Sequence, residues 1–266
     1  MPLFQPFVQQ RGTDSMALSL RHKGASVAQW LRFPGTTALP ECASIRYWDR
    51  APRLPVSLDL APVLFVHGYA GTEHIWSPLR SALTDAGFGC LIALRYNAFR
   101  ADIGQIADWL VQQAHRSMEV TGVPGVHLIG HSMGGLVVRE AVQHRGLAGL
   151  AVTAVTIATP HTGTRLAWFV PGPSARQMRP GSAFLDKLNN ARTDDRTRWI
   201  AIHGGADRVV RAGSGTFGAA ASEMIAMRES SAGHGSIARH PEVVARIVAE
   251  LLTSETPVAP AFSLVA

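Results

Sequence analysis

From about Ser44 onward the hydrophobic pattern switches repeatedly between two periods. Short runs rich in β-branched and aromatic residues read as strands: Ser44–Trp48, Val63–Val66, Cys90–Leu94, Val126–Ile129, Val152–Ala158, Trp199–His203 and Glu223–Met227. Longer stretches between them carry apolar residues at helical spacing. Asp102–Glu119 is one, and Met133–His144 is another, with Leu136, Val137, Glu140 and Ala141 on the repeat. Trp76 and Leu79 suit the inward face of a first helix. Pro241–Leu252 is a further helix, and its first-turn proline fits a helix start. Strands alternating with helices predict an α/β fold, a mostly parallel central sheet with helices on both faces.

One segment breaks the alternation. Residues 161–181 are rich in Pro and Gly and carry Leu166, Trp168, Phe169 and Val170, so they can shield an apolar surface without forming a regular strand or helix. The segment follows the carboxyl end of a strand, where ligands bind in open α/β sheets, which marks it as a lid-like insertion or acyl-pocket wall. The predicted organisation is an N-terminal extension over residues 1–42, one domain over 43–256 and a short tail over 257–266. No internal repeat suggests a solenoid.

Composition narrows the classes. A chain of 266 residues with 47% hydrophobic residues can bury one large core. A net charge of +6 favours anionic surfaces weakly, and arginines scattered along the chain do not make a nucleic-acid binder. Cys42 and Cys90 allow one bridge, too few for a disulfide framework, and Cys90 in its apolar run reads as a small buried hydrophobe. No apolar window is long enough for a transmembrane helix. The first residues lack the basic and apolar regions of a secretory signal, so a soluble, cytoplasmic protein is the expectation. No metal-ligand spacing appears, and no cofactor is expected.

The chemistry gathers at Gly130-His131-Ser132-Met133-Gly134. Gly-x-Ser-x-Gly is informative between a strand and a helix, where a sharp turn needs small residues and leaves the serine hydroxyl exposed. Val126–Ile129 supplies the strand, Gly135 eases packing, and the helix from Met133 sets its N-terminal amides beside Ser132, where negative charge would be stabilised.

With this motif the chain resembles bacterial triacylglycerol lipases and esterases of the α/β-hydrolase superfamily. Val66-His67-Gly68-Tyr69-Ala70-Gly71 is similar to the family's His-Gly oxyanion segment. Ala158-Thr159-Pro160-His161-Thr162-Gly163-Thr164 resembles a stretch common in bacterial lipases, as do Arg176–Ser182 and Phe184-Leu185. The resemblance covers roughly residues 60–250 and implies a Ser-His-Asp hydrolase in the chain order nucleophile, acid, base. Asp207 follows the Trp199–His203 strand in a loop similar to the family's acid loop. Asp194 and Asp195 lie in a polar run that suits a solvated surface loop. For the base, His234 sits in a glycine-flanked loop before the last helix; His240 is the alternative at the helix start, and His203 precedes the acid. The resemblance places the oxyanion donors on the amides of Met133 and Tyr69. Tyr69, Leu166, Trp168 and Phe169 are candidate substrate-binding residues. His67, His131 and His161 read as hydrogen-bonded structural groups.

The expected reaction is hydrolysis of an ester with an apolar acyl chain through an acyl-enzyme on Ser132. A small-molecule or lipid ester is the expected substrate, with transient contact to a lipid interface. A thioesterase, a polyester depolymerase or an acyltransferase would use the same residues. A non-catalytic lipid-binding scaffold is the reading outside enzymes. No structural calcium site can be assigned from the resemblance.

Overall fold

The computed structural model describes residues 59–191, 196–210, 223–227 and 232–255, with 223–227 described by its backbone alone. The predicted strand at Ser44–Trp48, the extension over 1–42, Cys42, Asp194, Asp195 and the tail lie outside the described residues.

In chain order the described elements are β1 (Val63–Val66), α1 (Ser77–Asp85), β2 (Leu91–Ala93), α2 (Ile103–Thr121), β3 (Val126–His131), α3 (Met133–His144), β4 (Ala151–Ile157), α4 (Pro173–Gln177), α5 (Ala183–Asn190), β5 (Arg198–Gly204), β6 (Glu223–Met227) and α6 (Pro241–Glu255). Single 3-10 turns lie at Glu73–Trp76, Arg165–Trp168 and Ile237–Arg239. The strands form one sheet in the order β2-β1-β3-β4-β5-β6, and every pairing is parallel.

Parallel strands need crossovers, and crossover helices cover both faces, so the strands must be apolar on both sides. Successive residues of β1 show it. Leu64 and Val66 face a core that includes Ile106 and Leu110 of α2, Leu136 and Val137 of α3 and Leu185 of α5. Val63 and Phe65 face a second core with Leu79 and Leu83 of α1 and Val243, Ile247 and Leu251 of α6. Trp76 belongs to this second core from the 3-10 turn ahead of α1 rather than from the helix itself. Helix boundaries follow local chemistry. Asp102 and Gln105 form a reciprocal capping box at the start of α2, and Gly122 ends it at φ 75°. Cys90, half-buried before β2, is a free thiol whose pKa burial pushes up to about 11.

The insertion differs from the expectation of an irregular segment. It holds a 3-10 turn at Arg165–Trp168 and the short helix α4, with Pro173 in its first turn. Side-chain bonds to the loop before α2 and to its first residue hold that helix: Ser174 Oγ donates to the Ala98 carbonyl, and the Ile103 amide donates to Gln177 Oε1 at 2.7 Å. Helix α5 directly after it also goes beyond the predicted elements; Ser182 caps it by accepting from the Leu185 amide.

The sheet positions the site. The chain runs from β1 outward to β2, then returns to the other side of β1 to lay down β3. Connections from β1 and β3 therefore diverge at their carboxyl ends and leave a crevice there, the usual ligand site of such sheets. Ser132 follows β3 and the Gly68-Tyr69 loop follows β1, so both lie at this reversal.

Candidate active site

Ser132 stands between β3 and α3 with φ 55° and ψ −124°. A non-glycine residue at positive φ costs energy that the surroundings must over-determine. Among the described residues Ala70, Ser132 and Ala158 alone share that property, and they follow β1, β3 and β4. Strain is thus concentrated along the carboxyl edge of the sheet. The Ser132 amide donates to the Ile157 carbonyl at 2.8 Å, and its carbonyl accepts from the Gly135 amide at 3.0 Å. Close packing closes the rest of the turn. A Cβ added to Gly134 would lie 2.0 Å from the Val66 carbonyl oxygen, and one on Gly68 would lie 2.9 Å from Ser132 Cβ. The first turn of α3 and the loop after β1 can approach Ser132 only because both positions lack a side chain.

Three sequence-predicted residues meet at this edge. His234 Nε2 lies 2.9 Å from Ser132 Oγ, and His234 Nδ1 lies 2.8 Å from Asp207 Oδ2. The other oxygen, Oδ1, accepts from the amides of Val209 and Val210 at 2.8 and 2.9 Å. Burial alone would raise the Asp207 carboxyl, yet the bonds from His234, Val210 and Val209 outweigh it and hold the group below its ordinary 3.8. An ionised carboxylate at Nδ1 keeps the proton on that nitrogen and leaves the lone pair of Nε2 facing the serine. The hydroxyl can then donate to Nε2, the alignment that makes a serine nucleophilic.

Two backbone amides belong to segments that adjoin the serine. The Met133 amide belongs to the first residue of α3, whose N–H groups lack intrahelical acceptors. The Tyr69 amide lies in the loop that Gly68 brings against Ser132. The Tyr69 side chain turns away to the insertion: its hydroxyl donates to the Pro171 carbonyl and its ring tilts against Phe99 at 4.8 Å. Leu166, Trp168 and Phe169 project into solvent, Trp168 at 57% and Phe169 at 84% exposure, and the Arg179 guanidinium lies 4.4 Å from the Trp168 ring centre. They form an exposed apolar ridge; none of these three is buried against the Ser132 row.

The remaining histidines divide. His67 is buried, donates from Nδ1 to the Gly68 carbonyl at 2.8 Å and stacks on Tyr96 at 4.1 Å. His161, fully buried, accepts at Nδ1 from Arg139 at 3.3 Å and reaches Thr156 through Nε2 at 3.2 Å. His240 ends the 3-10 turn before α6, and His203 lies near the end of β5. His131 bonds the His234 carbonyl through Nε2 at 2.8 Å. Two contributors carry no motif. Tyr96 supports the His67 loop by donating to the His67 carbonyl, and Thr164 Oγ1 donates to the Val209 carbonyl at 2.7 Å, beside the Asp207 loop. Position alone could have signalled Tyr96, since it closely follows a strand end.

Comparison with known proteins agrees with this architecture. A family model described as the alpha/beta hydrolase family matches residues 63–201. A triacylglycerol lipase of Pseudarthrobacter phenanthrenivorans is 34% identical over 119 residues, covering 41% of this chain and 36% of the relative. A triacylglycerol lipase of Burkholderia plantarii matches at the same identity and length, covering 32% of its own chain. The chain thus spans about a third of the length of these relatives. A Bacillus licheniformis lipase in its mature form shares the fold with a TM-score of 0.63 at 17% identity, over 76% of this chain and 96% of that one. The chain belongs to the alpha/beta hydrolase family.

Proposed function

We propose that the chain is a serine carboxylic-ester hydrolase of the lipase and esterase type, with Ser132 as nucleophile, His234 as base and Asp207 as the acid that orients it. One observation carries the reading: the hydrogen-bonded row Ser132–His234–Asp207, with spacings of 2.9 and 2.8 Å, on a strained turn at the carboxyl edge of the sheet. Kinship with two triacylglycerol lipases supports an ester substrate.

In this mechanism Ser132 Oγ attacks the ester carbonyl carbon while its proton passes to His234 Nε2. The amides of Met133 and Tyr69 receive the negative charge on the carbonyl oxygen. The tetrahedral species collapses, the bond to the alcohol oxygen breaks, and His234 returns the proton to that oxygen. Water then repeats the sequence on the acyl-enzyme. Asp207 stays ionised and stabilises the imidazolium.

The ridge of Leu166, Trp168 and Phe169 favours an apolar acyl ester presented at a lipid interface, because exposed aromatics of this size otherwise mark a partner surface. No described helix is long and apolar enough to cross a membrane, so such contact would be peripheral.

Ser132→Ala tests the reading. Turnover of p-nitrophenyl esters should fall by roughly 10⁶-fold, and labelling by a fluorophosphonate should vanish. Labelling that persists in the variant overturns the assignment. A panel of acetyl to palmitoyl esters with an emulsified triglyceride sets the substrate range: a preference for long chains at an interface makes the chain a lipase, and activity confined to short soluble esters makes it an esterase.

A further inference from the structure

His234 lies between Gly233 and Gly235, so its own backbone does little to fix where the imidazole points. Within the loop, the Ser236 and Ile237 amides donate to the Gly233 carbonyl at 3.0 and 3.1 Å. Those bonds close the turn, and Ala232, Ile237 and Ala238 at its ends bury in the core, but neither acts at the His234 peptide itself. His131 supplies a tie at that peptide. It ends β3, directly before Ser132, is 5% exposed, and bonds the His234 carbonyl at 2.8 Å. A carbonyl only accepts, so Nε2 carries the proton and donates. The two rings pack at 5.0 Å, while Nδ1 of His131 lies toward Gly68 in the loop that carries the Tyr69 amide.

We propose that His131 is a positioning residue for deacylation, holding His234 in place through its carbonyl while Ser132 carries the acyl group. The inference rests on the Ser132–His234–Asp207 reading. In the free protein His234 is held at three points: Ser132 Oγ, Asp207 Oδ2 and His131. Acylation turns Ser132 Oγ into an ester oxygen without a proton, so one anchor is lost when the base must next act on water. The bond to Asp207 lets the ring pivot about Nδ1; the bond from His131 fixes the backbone behind it. In the step itself, a water oxygen bonds to the acyl carbon as its proton moves to His234 Nε2. The tetrahedral species then breaks its carbon–Oγ bond, Ser132 Oγ takes the proton back, and the carboxylic acid leaves.

His131 is suited to a constant role. Burial, and after it the neighbouring His234, lowers its pKa to about 4, so it remains a neutral donor while the base cycles between its two forms.

Stopped-flow kinetics with a p-nitrophenyl ester separate the two halves of the reaction. His131→Leu removes the donor, and His131→Gln puts an amide N–H near the former Nε2. The Leu variant should release a burst of p-nitrophenol at close to the parent rate and then turn over about 10- to 100-fold more slowly. The Gln variant should recover most of the steady-state rate. Equal slowing in Leu and Gln, or equal slowing of burst and steady state in Leu, overturns the proposal. If the Leu chain does not fold, His131→Asn replaces it, since the shorter amide reaches only as far as Nδ1; equal deacylation in Gln and Asn then overturns the proposal. A parent that fails to react with a fluorophosphonate at Ser132 refutes the hydrolase reading and this inference with it. Labelling without a difference between the variants refutes the role of His131 alone.

Discussion

The turn at Ser132 and the insertion from Pro160 to Gly181 lie on the same side of one sheet and are held by different means. At the turn, backbone packs on backbone. Helix α3 buries most of its length from its first residue, and Gly134 stands where any side chain would strike the Val66 carbonyl. In the insertion, single side chains reach across long sequence separations to carbonyls: Tyr69 to Pro171, Ser174 to Ala98 and Thr164 to Val209. Ala167, Ala175 and Met178 anchor it by burial, while its largest apolar side chains, Leu166, Trp168 and Phe169, face water. The rigid part therefore carries the strained Ser132 turn, and the tethered part carries exposed apolar surface. Strain can persist only where packing over-determines it, whereas a surface that binds must stay uncovered.

Four variants test that contrast. Asp207→Asn bears most heavily on chemistry and should lower kcat by about 10⁴-fold with the fold intact, because the imidazole loses its tautomer; p-nitrophenyl butyrate kinetics beside circular dichroism measure both. The same variant has a stability signature. The folded carboxyl of Asp207 lies below its ordinary 3.8, so its contribution is complete above that value and is lost as pH falls through the folded pKa. Acid unfolding of the parent should thus be steeper than that of Asp207→Asn, and equal acid limbs would deny the carboxylate its hydrogen bonds.

Gly134→Ala attacks the turn directly. Two backbones would have to part, at roughly 3 kcal/mol or more, and urea denaturation should reveal the loss together with lost ester turnover. An alanine variant of parent stability would show that the turn is not held by packing.

Thr164→Val asks whether the insertion is independent of the site. Removing the bond to Val209 should cost about 1 kcal/mol and lower kcat for soluble esters, since Val209 also donates to Asp207. An unchanged kcat would make the two regions separate units.

The smallest stability effect belongs to the ridge. Trp168→Ser with Phe169→Ser should change stability by less than about 0.5 kcal/mol. Adsorption to emulsified ester, measured by depletion from solution, should weaken far more than hydrolysis of a soluble acetyl ester. Equal losses on both substrates would mean that these residues line a pocket instead of a docking surface.

Much of the fold was legible because its signals are local. Strands buried on both faces must be continuously apolar, as Val63–Val66 is, and both it and Glu223–Met227 have the bounds that their sequence runs predict. The helix from Met133 to His144 does too. Two short helices escaped notice. Pro173–Gln177 depends on bonds to Ala98 and Ile103, and Ala183–Asn190 is only two turns long, too brief for periodicity to declare.

At the site the same division holds. The glycines and serine of residues 130–134 disclose their turn because each position there has a steric requirement that few residues meet. Asp207 and His234 are polar residues in loops, marked in the sequence by resemblance and chain order and not by a steric requirement; the folded chain brings them together beside the end of β3. His131 is the sharpest case. Its place beside Ser132 is fixed by chain order, but its bond to a carbonyl 103 residues away exists only once the last loop folds back over β3. Sequence alone determined the elements and the strained turn, because hydrophobic periodicity and backbone sterics act between neighbours. That Ser132, His234 and Asp207 come within hydrogen-bond reach, and that His131 meets the His234 carbonyl, was decided only by the tertiary structure, because hydrogen bonds require atoms within about 3 Å and chain distance does not measure that.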